Sequence, residues 1–289
     1  GYKTRLAERQ PDNLEAYNLY LKGRALWNTR TKEKMTAAIA DFELALAKDP
    51  GFALAHVGIA DCHSMLAHYG HSPSIIAYPK AKKELQAALK LNSGISEAHS
   101  SLGWVYYDYD LDWENGKRAF EEALRINPSN PEANRWYSQL LIANYDPKAL
   151  EQIDTALTLN PTSPINKIVQ VRILNAFGKL DDALKAAEKV NESDPAYFLS
   201  PYAKIEVLTL QNKYDEALQV ADAAAIRFGN HPTYITAKGM LLGLAGKHDE
   251  ARAIIQTLEQ ISSERPSSKH YFSMMYYAIG EHDKALKLL

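Results

Sequence analysis

The chain has 289 residues, of which 46% are hydrophobic and 24% charged, values typical of a globular protein with enough apolar material for a continuous core. Its formal net charge is −2 and it has one cysteine, which excludes an internal disulfide and fits a reducing compartment. The charge does not favour nucleic-acid binding, and no apolar run approaches the ~20 residues of a membrane-spanning helix. We therefore expect a cytoplasmic protein that binds neither nucleic acid nor membrane.

Both ends of the sequence suggest a piece of a longer protein. The chain begins with GYKTRLAERQ, which lacks an initiator Met and does not resemble a signal peptide. It ends with ALKLL, an apolar helical pattern without a capping residue. We therefore expect any catalytic domain of the full-length protein to lie outside this sequence.

A small residue recurs along the whole sequence at a nearly constant spacing. The first step is 43 residues long, and every later step is 33 to 35 residues. A second small or apolar residue usually follows seven positions later, and a Pro often comes five positions after that. Self-similarity at such a period indicates a repeat array. The recurring residues are Ala38, Ala81, Gly116, Ala149, Ala183, Ala217, Ala251 and Ala285.

Each period carries the pattern of two helices joined by a turn. Four of these turns read GKLDDA, NKYDEA, GKHDEA and GEHDKA. In them we expect Gly or Asn to end the first helix and Asp to cap the second. Pro131, Pro164 and Pro201 stand where several first helices should begin, a position that suits Pro because its missing N–H would be unpaired there. Each hairpin has two apolar faces, so stacking must supply the core.

A helix–turn–helix period of 34 residues resembles the tetratricopeptide repeat (TPR) family. The clearest copy is EAHSSLGWVYYDYDLDWENGKRAFEEALRINP, with Gly116 in place of the usual Ala and His99 in place of the preferred Trp. Its matching positions are Leu102, Gly103, Tyr106, Phe120, Ala123 and Pro128.

The resemblance implies an all-α fold: a right-handed superhelical solenoid of stacked antiparallel helix pairs. It covers nearly the whole chain as a single domain of seven full repeats and a truncated eighth. The approximate boundaries are 14–50, 51–93, 94–130, 131–163, 164–197, 198–231, 232–266 and 267–289.

The first two copies carry extra residues. The turn NTRTKEKMT in the first copy is about three residues too long for the family pattern, and the second copy has about eleven extra residues around HYGHSPSIIAYPK. The second insertion predicts either longer helices or a protruding loop, and long connections often carry function.

The opening stretch AYNLYLKGRALWNTRT and the hairpin after it support a narrower resemblance. They look like the first repeats of C-terminal TPR regions in multidomain bacterial signalling proteins. In such proteins the array follows a winged-helix, nucleotide cyclase or Ser/Thr kinase domain. This resemblance implies a regulatory or sensory arm.

The family architecture implies that first helices line an inner, concave wall, and counting from the family's Gly position gives its residues. Aromatic and Arg side chains, which are favoured binding anchors, are frequent among them. We expect a groove for a peptide or partner segment, with a metabolite-sensing pocket as the alternative. The groove residues are Tyr17, Tyr20, Arg24, Trp27, His63, Trp104, Tyr107, Arg135, Gln139, Arg172, Asn175, Tyr202 and Glu206. In the second repeat the same count gives Ala55, Ile59 and Cys62, with His56 beside them.

Two stretches have the composition of metal sites without their geometry. DCHSMLAHYGH, residues 61–71, concentrates metal-ligand types, but on a helix at most two of them share a face, whereas zinc needs four converging ligands. YYDYDLDWENG, residues 106–116, has no Gly at the sharp-turn position of a calcium loop and no Glu at the twelfth position counted from Asp108, so its Asp residues are expected to cap a turn. No nucleotide-binding, hydrolase or metalloprotease motif is present. We therefore expect no catalytic residue, metal or cofactor.

The last repeats predict a possible second surface. Met240, Leu241 and Leu242 are followed by the apolar run 274–277, and a solenoid needs a polar cap at its end. An uncapped end would be covered by residues beyond this sequence or by a second copy, which would make a homodimer.

Overall fold

The computed structural model describes residues 13–229, 231–264 and 269–288. Over these residues the chain is an all-α solenoid of eight helix pairs, which confirms the predicted fold class. The pairs are α1 (Leu14–Asn28) with α2 (Lys32–Lys48), α3 (Ala53–His68) with α4 (Ser74–Leu91), α5 (Ser96–Val105) with α6 (Trp113–Ile126), α7 (Pro131–Ala143) with α8 (Lys148–Leu159), α9 (Pro164–Ala176) with α10 (Leu180–Ser193), α11 (Ser200–Leu210) with α12 (Tyr214–Arg227), α13 (Pro232–Leu244) with α14 (His248–Glu264), and α15 (Lys269–Ala278) with α16 (His282–Leu288).

The chain groups into two compact units, residues 1–161 and residues 162–289. In unit 1 the first helices α1, α3, α5 and α7 contact one another in order, and in unit 2 α9, α11, α13 and α15 do the same. Each unit therefore has a layer of adjacent first helices. No helix among the described residues is long and apolar enough to cross a membrane.

Side-chain caps begin several helices. Asn13 accepts from the backbone N–H groups of Glu15 and Ala16, Asn130 caps α7, and Ser163 caps α9. The prediction that Asp caps the second helices in the GKLDDA-type turns was wrong. Asp181 and its equivalents lie inside the first helical turn, where a negative charge favours the N-terminal end of the helix dipole.

All eight turns inside the pairs place one residue in the left-handed region. Their φ angles run from 52° to 82°. The next residue commonly donates its N–H back across the turn, as Lys179 does to the carbonyl of Leu174 at 2.9 Å, which satisfies an end carbonyl of the first helix. The predicted role of Gly and Asn at the helix end is thereby confirmed. The eight residues are Arg30, Gly70, Leu111, Tyr145, Gly178, Asn212, Gly246 and Gly280.

The recurring small residues lie where helices pack closely. Ala38, Ala183 and Ala217 are completely buried. Another small position, Gly103, faces Phe120 so closely that a Cβ would stand 2.8 Å from its ring. The period seen in the sequence is therefore a packing requirement, because larger side chains would push the helices apart.

The extra residues of the first two copies lengthen helices. The connection in the first pair is only Thr29–Thr31, so the prediction of an overlong turn there was wrong. Helices α2 and α4 have 17 and 18 residues, against 14 in α6 and α10. The insertion in the second copy therefore takes the helical alternative, with Pro79 inside α4.

Candidate partner-binding wall

Arg24 links three helices across the first-helix layer of unit 1, which we call the first-helix wall. Its guanidinium lies 2.7 Å from the carboxylate of Asp61 in α3 and 3.6 Å from that of Glu132 in α7. Asp61 also accepts a hydrogen bond from the Ser101 hydroxyl at 2.5 Å. Burial raises the pKa of the Asp61 carboxyl, and Arg24 and Ser101 oppose that rise. The wall is thus held by a charged network inside a packed layer.

A small recess opens beside Arg24. Three carboxylates face a single guanidinium there, so the recess is acidic. Ser100 and Trp136 are buried at its surface, and neither the Ser100 hydroxyl nor the Trp136 indole N–H has a hydrogen-bond partner among the described residues. The lining residues are Tyr20, Arg24, Val57, Asp61, Glu97, Ser100, Ser101, Glu132 and Trp136.

The indole rings of the wall lie beneath its surface. Trp27, Trp104 and Trp136 are at most 3% exposed. The Arg24 and Arg30 guanidinium carbons lie 4.2 Å and 3.4 Å from the centre of the Trp27 ring. Trp27 and Trp104, predicted as groove residues, are therefore almost completely covered by their neighbours.

The remaining predicted residues of unit 1 differ in exposure. Tyr20 is half-buried beside Tyr17, and burial raises its pKa to about 12, so its hydroxyl keeps its proton. Tyr107 is half-buried, with its ring 5.7 Å from that of Trp104. Arg135 is 4% exposed and lies over Trp136. Gln139 is half-buried on the same helix, α7.

Helix α3 is rotated relative to the orientation expected from the sequence. Its wall residues are Val57 and Asp61, two positions after Ala55 and Ile59, and both of the latter are buried. Two positions on a helix turn a side chain by about 200°. His63 accordingly has Lys80 and Glu84 of α4 as its charged neighbours and does not join Arg24 and Asp61.

The sequence contains a signal for the correct register of α3. Pro128 precedes the start of α7 at Pro131 by three residues, and Pro161 precedes Pro164 in the same way. Pro50 stands three residues before Ala53, where α3 begins. If α3 is aligned with the other repeats by Pro50, Val57 and Asp61 fall on the wall. If it is aligned by the Gly position, Ala55 and Ile59 fall there instead.

Unit 2 brings three of its four predicted residues together on α9 and α11. Arg172 donates from Nε to the Glu206 carboxylate at 3.2 Å. Tyr202 lies one turn before Glu206, and burial raises its pKa to about 12. Asn175 is half-buried, one turn after Arg172. This smaller patch also pairs an Arg with a carboxylate between first helices.

The acidic stretch after α5 forms a structure that the sequence did not indicate. Residues Tyr106–Asp110 make a π-helical turn that extends α5 alongside the long α4. Asp108 accepts a hydrogen bond from the Tyr78 hydroxyl and lies 3.1 Å from His68 Nδ1, and Asp110 pairs with Lys82 at 2.7 Å. The prediction that these two Asp residues cap a turn was wrong.

Asp112 has the predicted capping role, because it accepts the N–H of Asn115 at the start of α6.

Within the described residues no three His, Cys, Asp or Glu side chains are placed to hold a metal ion. Cys62 is a buried free thiol, and burial raises its pKa. His56 bonds to Glu84 at 2.6 Å.

Comparison with solved structures places this fold among known ones. The chain resembles yeast Tom70 with 19% identity and a TM-score of 0.61, covering 97% of this chain and 60% of that one. It resembles a tetratricopeptide repeat protein from Parabacteroides merdae with 14% identity and a TM-score of 0.58, covering 92% and 100%. Human IFIT1, solved as a dimer with PPP-AAAA, gives 17% identity and a TM-score of 0.63, covering 88% and 67%.

Comparison with curated sequences and family models adds two findings. The transcriptional regulator HilA of Salmonella typhimurium is 22% identical over 180 residues, which are 62% of this chain and 32% of HilA. The matched part thus spans about a third of that relative's length. Residues 169–235 match the family model described as tetratricopeptide repeat. With the repeating helix pairs and their left-handed turns, these matches show that the chain has the tetratricopeptide repeat fold, and that residues 169–235 match the family model itself.

Proposed function

We propose that this chain is a non-catalytic scaffold that binds a segment of a partner protein on the first-helix wall of unit 1. Tetratricopeptide repeats are typical of protein–protein interaction scaffolds. The observation that carries the proposal is the Arg24 recess, where side chains from α1, α3, α5 and α7 meet. A surface built from four helices can contact several residues of an extended segment at once.

The chemistry of the recess indicates how such a segment would be held. On the wall, Tyr107 and Gln139 provide half-buried side chains on α5's extension and α7. Glu132 adds a carboxylate whose contact with Arg24 is 3.6 Å, longer than the Arg24–Asp61 pair. We infer that a partner residue bonds to Glu132 while Arg24 stays with Asp61.

We further propose that the chain is the regulatory or sensory arm of a larger cytoplasmic signalling protein of bacteria. The match to HilA supports this proposal, because that relative is a transcriptional regulator and extends well beyond the matched part.

We also propose that two copies of the chain pair through the last repeats. Tyr277 and Leu286, 64% and 69% exposed, support it. Light scattering at several concentrations tests it, and a strict monomer excludes it.

Site-specific photo-crosslinking tests the binding surface. A photoreactive amino acid is placed at Tyr107 or Gln139 on the wall, and at Leu44, which is 52% exposed on the second helix α2, as the control in the same unit. The full-length protein is irradiated in its native cells, and crosslinked peptides are sequenced. We expect both wall positions to capture the same protein segment and Leu44 not to capture it.

The alternative, a metabolite sensor, gives a different result. A small ligand in the recess would raise the melting temperature of the purified chain in proportion to the logarithm of its concentration. Two results together would favour the sensor over the scaffold. A metabolite would have to raise the melting temperature in this way, and the wall positions would have to capture no protein segment.

A further inference from the structure

The turns of the third and fourth helix pairs enclose a cleft that is separate from the recess beside Arg24. It measures about 660 Å³ and lies against the end of the π-helical turn, the start of α6 and the end of α7. The residues that line it include Leu111, Trp113, Glu114 and Lys117. None of the predicted groove residues lines it, so it offers a second surface within unit 1.

Large apolar side chains stand exposed around this cleft. Leu111 is 72% exposed and Trp113 is 43% exposed, and both line it. Tyr145 is 71% exposed and lies between two lining residues, Asn144 and Asp146. Clustered exposed apolar side chains rimmed by polar residues mark sites where proteins contact one another.

Folding alone does not account for two of these side chains. Leu111 and Tyr145 occupy the left-handed turn position that is Gly in the second, fifth, seventh and eighth pairs. A residue with a Cβ is strained there. Neither side chain recovers that cost by burial, since most of its surface remains in water.

The charged residues that line the cleft indicate the charge of the segment that fits it. Asp110, Asp112, Glu114 and Asp146 line it together with one basic residue, Lys117. Asp110 is paired with Lys82, and Asp112 and Asp146 accept backbone N–H groups. Glu114 is exposed and forms no ion pair within the described residues. The cleft is therefore negative, with one carboxylate fully available.

We propose that this cleft docks a partner segment that carries Lys or Arg beside a large apolar side chain. The apolar side chain packs against Leu111 and Trp113, next to the turn that carries Tyr145, and the cationic groups lie against Glu114 and its neighbouring carboxylates. The proposal is independent of the first-helix wall, because the two surfaces share no lining residue.

The test uses two sets of synthetic twelve-residue peptides with a central Leu or Phe, flanked by Lys in one set and by Glu in the other. The chain has four Trp residues, and Trp113 is the exposed one, since the other three are at most 3% exposed. Acrylamide quenching of Trp fluorescence therefore reports on this cleft. We expect Lys peptides to protect Trp113 and Glu peptides to leave it quenchable. Equal protection by both sets, or none by either at 1 mM peptide, would overturn the proposal.

Two variants separate binding from folding. The double change Leu111→Gly with Tyr145→Gly is expected to weaken binding of the Lys peptides at least tenfold and to raise the melting temperature by a few degrees. The matched control Asn212→Gly also relaxes a left-handed turn but lies in unit 2, away from the cleft. It should leave peptide binding unchanged. Full retention of affinity by the double variant overturns the proposal.

Discussion

Arg24 and Asp61 form a 2.7 Å ion pair between the first helices of the first and second repeats. The Asp61 side chain is 4% exposed and that of Arg24 is 21% exposed, so water screens the pair only weakly. The same guanidinium reaches Glu132 on α7, which connects the pair to the fourth repeat. The wall of unit 1 therefore depends on a contact network that crosses repeats.

The first prediction concerns this pair. Asp61→Ala should destabilise the chain by about 3 kcal/mol, because it leaves a largely buried guanidinium without its closest carboxylate. Urea unfolding measures the change. The control is Glu15→Ala, which breaks an exposed 3.1 Å pair with Lys48 and should cost less than about 0.5 kcal/mol. Equal effects of the two changes would show that the Arg24 network adds no more stability than an exposed ion pair does.

The second prediction concerns the dependence of stability on pH. The hydrogen bond from His56 holds the pKa of Glu84 below its ordinary value. A carboxyl with a lowered folded-state pKa stabilises the fold above its unfolded-state pKa and loses that effect as the pH falls through its folded-state pKa. The wild type should therefore exceed Glu84→Gln in stability at pH 6, by up to about 1 kcal/mol.

The difference between the wild type and Glu84→Gln should shrink as the pH falls from 6 to 3. Unfolding free energies measured across this range check it. Glu43→Gln, at an exposed position on α2, is the control and should show no such convergence. A difference that persists undiminished at pH 3 would mean that the stabilisation does not depend on ionised Glu84.

The third prediction concerns the small residues of the repeat. Ala183→Trp should cost about 3 kcal/mol or more, because the side chain enters a completely buried helix crossing. Lys189→Trp, at an exposed position of the same helix α10, should change stability by less than about 0.5 kcal/mol. Thermal melting compares them. Unchanged stability of Ala183→Trp would contradict the packing role of this position.

The fourth prediction concerns the π-helical turn. Tyr78→Phe keeps the ring that stacks on Tyr109 at 4.6 Å but removes the hydroxyl that bonds to Asp108. The change should destabilise the chain by about 1–2 kcal/mol. It should also speed amide hydrogen exchange in residues 106–112, which mass spectrometry can follow.

Tyr214→Phe is the matched control for Tyr78→Phe. Its hydroxyl bonds to Asn212 at an exposed site, so its loss should have little effect. If exchange in residues 106–112 stays at the wild-type rate in Tyr78→Phe, the turn does not depend on this hydrogen bond.

The repeat could be predicted because its signal is local. Small residues recur at a fixed spacing, and Gly or Asn marks the end of several first helices, so helix number and fold class follow from the sequence. The rotation of α3 was mispredicted because the repeat is longer there and two markers, the Gly position and Pro50, give different registers. The structure agrees with Pro50, as the contacts of Asp61 show.

The sequence by itself determined that the chain is an array of helix pairs, because period, turn residues and apolar spacing are properties of short segments. Only the tertiary structure decided which side chains meet. Trp27 is buried although its position faces the predicted groove, and Asp108 bonds to Tyr78 instead of capping a turn. Both outcomes depend on how neighbouring repeats rotate and how far their helices extend. Those quantities are set by packing between segments, which the period of a single repeat does not contain.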